Sequence, residues 1–60
     1  MIYCERQVKK GKKQYTQYIA SANDLKWVNY RLKNKFVESE KAKDWFYGRG
    51  FTYNAIYEVH

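Results

Sequence analysis

Proline is absent from this chain, cysteine and histidine occur once each, and glycine only three times. A lone Cys4 cannot close an internal disulfide, and with His60 as the single imidazole there is no Cys/His cluster to hold a metal. No cofactor is implied. This cysteine usage fits a reducing compartment, so a cytoplasmic location is expected. No run approaches the ~20 apolar residues that a bilayer span needs, and residues 1–6 lack the basic-then-apolar order of a secretory leader. No membrane partner is expected. Acidic residues are scarce too: 6 against 12 Lys and Arg, a formal charge of +6. That balance implies attraction to something acidic, whether nucleic acid, an anionic membrane or an acidic protein surface, and charge alone does not choose among them.

Aromatic side chains, in contrast, are abundant. They make up 20% of the 60 residues, with seven Tyr, in a composition that is 45% hydrophobic. Such a chain folds rather than staying disordered. Tyrosines can fill a core while keeping their hydroxyls at its rim. The length allows one small domain, residues 1–60, which buries only about 60% of its unfolded surface and has little room for a deep active site.

Period-two alternation predicts a strand over residues 2–8, with Ile2, Cys4 and Val8 on one side and Tyr3, Glu5 and Gln7 on the other. Lys9-Lys10-Gly11-Lys12-Lys13 reads as an exposed hairpin turn, followed by a return strand over residues 14–20. Ser21 with Asp24 three residues on is close to a capping box, so a helix is expected to start there and run to about Tyr47. Lys43 then falls near the middle of its apolar stripe. Either its stem snorkels along the core edge, or the helix breaks around residues 38–40 and restarts at Lys41. Gly48-Arg49-Gly50 supplies a C-cap, and residues 51–59 alternate as a final strand. The expected class is α+β: a three-stranded antiparallel sheet in β-β-α-β order, with one long or broken helix packed on one face.

Catalytic constellations are weak. His60 ends the sequence and has no evident partner. Glu38, Glu40 and Asp44 are interleaved with Lys41 and Lys43, which reads as solvated helical pairing rather than an acid/base dyad. Gly48-Arg49-Gly50 lacks a longer phosphate-binding glycine pattern. Cys4 alternates with Ile2 and Val8, the setting of an inert buried thiol. The chain is not expected to be an enzyme.

Binding features are stronger. In the expected helix, Leu25, Val28, Leu32, Phe36 and Phe46 form the core stripe, while Trp27 projects roughly 130° away from its centre, with Tyr30 to one flank and Trp45 in line below. Trp and Tyr are enriched at binding hot spots. Trp27 and Tyr30 are therefore candidate apolar anchors for a partner, rimmed by Arg31, Asn34 and Lys41. The plainer alternative is that the indole caps the core edge. A second candidate surface combines the turn lysines Lys10, Lys12 and Lys13 with the sheet tyrosines Tyr15 and Tyr18, as in proteins that stack single-stranded RNA bases on aromatic rings. A homodimer formed through the outer helix stripe is a third possibility.

The element order and the local sequence Asp24-Leu25-Lys26-Trp27, an acidic, an aliphatic and a polar residue followed by Trp near a helix start, resemble the phage-encoded discriminator of mRNA degradation antitoxins. The strand ending Tyr18-Ile19-Ala20 and the helix ending Trp45-Phe46 sit at comparable places. This resemblance implies a small inhibitor used in host takeover, which binds a host endoribonuclease toxin and blocks it by protein contact, with Trp27 as anchor. The lysine turn, the Gly48-Arg49-Gly50 loop and the strongly basic charge depart from that family.

Overall fold

The computed structural model describes residues 1–60 and is a small α+β structure. Its elements are β1 (Ile2–Lys10), β2 (Lys13–Ser21), α1 (Leu25–Lys33), β3 (Val37–Glu38), α2 (Glu40–Phe46) and β4 (Ile56–Val59). The sheet is antiparallel, in the order β3-β1-β2-β4. No helix is long and apolar enough to cross a membrane.

The hairpin forms as its sequence dictates. β1 and β2 pair from Ile2↔Ser21 to Lys10↔Lys13, leaving Gly11 and Lys12 as a two-residue turn. Gly11 has φ +62°, the positive value that the first central position of a type II′ hairpin turn requires.

The long helix does not form. α1 ends at Lys33 in a Schellman arrangement: the Phe36 N–H donates to Arg31 O at 2.9 Å and the Lys35 N–H to Leu32 O at 3.2 Å, with Lys35 at φ +61°. Chain reversal there frees Val37 and Glu38 to pair with β1, a fourth strand that the sequence did not announce. Ser39 then caps α2, its Oγ accepting from the Ala42 N–H at 3.2 Å. Of the two alternatives the break is the correct one, but it spans residues 34–39 rather than 38–40, and the second helix starts at Glu40 rather than Lys41.

The final strand is also shorter than expected. Residues 51–55 form a loop, and only Ile56–Val59 pairs with β2. Asn54, at φ +61°, donates its N–H to Ala20 O at 2.8 Å and accepts from the Ala22 N–H at 3.0 Å through Oδ1. Those bonds hold the loop against the end of β2, so the alternation in residues 51–55 reflects aromatic packing rather than a ladder.

Instead of one helix on one face, each face of the sheet carries a helix. Tyr3, Tyr18, Ala20 and Tyr57 share one face by register, and α2 packs there through Ala42 and Phe46. Cys4 and Ile19 point the opposite way, toward α1 and the Phe36 that follows it.

Candidate functional site

Nine residues of helix must choose which arc to bury. α1 turns Trp27, Tyr30 and Arg31 toward the sheet and leaves Leu25 and Leu32 in solvent, 76% and 71% exposed. This reverses the expected orientation. Trp27 is half-buried against the Cys4–Ile19–Phe36 cluster, and its ring meets Tyr30 edge-on at 5.2 Å. Tyr30 in turn stacks on Phe36 at 6.3 Å. Two aromatic rings cover more apolar area than two leucines, and Phe36 is not on this helix at all, so the stripe drawn through it loses its continuity.

Arg31 decides the matter. Only 7% exposed, it donates to Ser21 Oγ at 2.5 Å, Ala22 O at 3.0 Å and Asn23 Oδ1 at 3.0 Å. Ser21 is therefore the buried acceptor for a guanidinium, not the helix cap. Asp24 holds that position, accepting from the Trp27 N–H at 3.0 Å. Asn34, the C-cap, donates through Nδ2 to Tyr30 O at 2.8 Å, and its carbonyl accepts from Arg6 at 3.2 Å. Of the five residues expected to form one contact surface, Trp27, Tyr30, Arg31 and Asn34 are thus engaged in packing or internal hydrogen bonds, and exposed Lys41 lies on α2 beyond the opposite face. The structure does not bring the five together.

What α1 does present outward is Leu25 and Leu32, seven residues apart and about 20° apart around the helix, with Asn29, Lys26 and Lys33 on the same exposed side. The signal for this face was already in the sequence, as one of two competing arcs.

The second candidate surface divides as well. Lys10, Lys12 and Lys13 are exposed at the hairpin tip. Tyr15 and Tyr18 differ by three positions and so face opposite ways. Tyr18 is 3% exposed in the aromatic cluster around α2, 5.2 Å from Trp45, and has no free face for a base. Tyr15 is half-buried and stacked on His60 at 4.7 Å. The only contact within salt-bridge distance is His60 Nε2 to Glu58 at 3.6 Å, so no lysine or arginine is paired with a carboxylate. The charge of the exposed lysines is available to a partner.

Cys4 is buried and unpaired. Burial pushes its thiol above the ordinary value of 9.0, with Glu38 adding to the rise and Arg31 opposing it, a setting that disfavours the thiolate. Three or more His, Cys, Asp or Glu side chains gather nowhere with metal-holding geometry. The one cleft, about 380 Å³, opens between Met1, Tyr3, Glu38, Glu40 and Lys43 and is wide to solvent.

No family model, curated protein or solved structure matches this chain.

Proposed function

We propose that this protein is a small inhibitor that acts by contact with a host protein, without chemistry of its own, and that the contact is made by the outer face of α1. The observation that carries this reading is the pair Leu25 and Leu32, left wet on a helix that turns Trp27, Tyr30 and Arg31 toward the sheet. Covering two leucine side chains regains roughly 1.5–3 kcal/mol each. Lys26 and Lys33 beside them steer the face toward an apolar groove with an acidic rim and speed encounter at low salt. The target class follows from the antitoxin resemblance: a bacterial endoribonuclease toxin, blocked by occlusion. Trp27 supports the helix from beneath rather than reaching the partner.

The test is a toxin-inhibition assay with purified protein. Wild type is expected to suppress RNA cleavage, and L25S/L32S to lose the effect by about tenfold or more while keeping the wild-type melting temperature. Trp27→Ala is expected to lower the melting temperature as well. Full inhibition by L25S/L32S removes α1 as the docking face, and failure of the wild type to inhibit any such toxin removes the target class.

A further inference from the structure

The β1–β2 hairpin outruns the rest of the fold. β3 accompanies β1 only at Cys4 and Glu5, and β4 accompanies β2 only from Thr16 to Ile19. The distal hairpin is therefore a two-stranded ribbon, with residues 9–14 all exposed. No acidic residue occurs between Arg6 and Asn23, whereas Arg6, Lys9, Lys10, Lys12 and Lys13 do. None of the exposed large apolar side chains lies on the ribbon, so it has no anchor for a protein groove.

One face of the ribbon is a row of hydrogen-bonding side chains. Register pairs Gln7 with Thr16 and Lys9 with Gln14 on that face. Gln7 is occupied at both ends of its amide, Oε1 accepting from the Thr16 hydroxyl at 3.0 Å and Nε2 donating to Glu5 Oε2 at 3.4 Å, so the side chains left free on this face are Lys9 and Gln14. Glutamine matches adenine N6/N7 and lysine matches guanine O6/N7, and the B-form major groove, about 12 Å wide, admits a two-stranded ribbon. The A-form major groove is too deep and narrow for the same entry.

We infer that the ribbon is a docking arm for duplex DNA: the Lys9 and Gln14 pair enters the major groove while Lys10, Lys12 and Lys13 bind flanking phosphates. The inference is independent of the α1 reading, because it uses a different surface and a different partner.

Fluorescence anisotropy with the full chain tests it, using a labelled B-form DNA duplex, an RNA duplex of the same sequence and the single DNA strand, each at two salt concentrations. The DNA duplex should bind tightest, with log K falling against log salt at a slope of about −3, as three neutralised phosphates require. K12Q/K13Q should flatten that slope by about two while circular dichroism and melting stay unchanged. Methyl green, a major-groove ligand, should displace the protein; distamycin, a minor-groove ligand, should not. L25S/L32S should bind DNA as wild type does, separating this arm from the α1 face. Equal or tighter binding of either RNA duplex or single strand, persistence of the complex in methyl green, an unchanged slope in K12Q/K13Q, or no DNA binding at low salt would each overturn it.

Discussion

The two faces of the sheet solve the same problem by different chemistry. On the α2 side the core is aromatic and nearly without polar groups: Phe46 lies 4.6–6.4 Å from the rings of Tyr3, Tyr18, Trp45, Phe51 and Tyr57. The α1 side has a smaller apolar cluster, flanked by a buried Arg31 and by Arg6, whose guanidinium lies 5.0 Å from the Phe36 ring centroid and donates to Gln17 Oε1 at 2.6 Å. Gln17 passes the chain on, donating to Glu58 at 3.1 Å. The lesson is that burial near one end of the sheet is driven by area and is tolerant of direction, while on the other face it is driven by hydrogen bonds that specify a single orientation of α1.

Substitution at Phe46 probes the aromatic side hardest. Phe46→Ala should cost about 3–5 kcal/mol, comparable with the whole stability of a domain this size, roughly 3–9 kcal/mol. Urea or thermal unfolding should find the variant largely unfolded at room temperature; a cooperative transition near that of wild type would show that the five neighbouring rings close the gap unaided. Arg31→Ala addresses the polar side. It leaves the buried Ser21 hydroxyl without its partner and removes three hydrogen bonds, an expected loss of about 2–3 kcal/mol. If chemical denaturation gave less than half of that, α1 would be held by Trp27 and Tyr30 alone, and the contrast between the faces would collapse. The smallest effect is a gain. Lys35→Gly relieves a left-handed backbone at the α1 terminus and should stabilise by roughly 0.5–1 kcal/mol once glycine's extra unfolded entropy is allowed for. Differential scanning calorimetry would register the rise in melting temperature, and a fall would mean that the Lys35 side chain contributes more than its backbone strain.

Reading the helix from its periodicity went wrong for a definable reason. A stripe through Leu25, Val28, Leu32, Phe36 and Phe46 assumes one continuous helix, yet Phe36 follows a reversal and Phe46 lies on α2, across the sheet. Without those two residues, the leucine arc had only modest area in its favour. Residues 51–55 misled in the same way, because aromatics that alternate in a loop look like those of a strand, whereas Ile56–Val59 does form the expected strand. The fourth strand, two residues long, carries no pattern that a period could reveal.

Local chemistry, by itself, determined the hairpin, its glycine turn, the lysine-rich tip and the burial of Cys4, since turn geometry and alternation depend on residues a few positions apart. Tertiary structure alone decided which side of α1 meets the sheet, that a helix covers each face, and that Tyr18 is enclosed and Trp27 half-buried while Leu25 and Leu32 stay wet. Those outcomes turn on partners distant in the chain, above all Ser21 for Arg31 and Cys4, Ile19 and Phe36 for the indole. Short-range periodicity holds no information about partners at that separation.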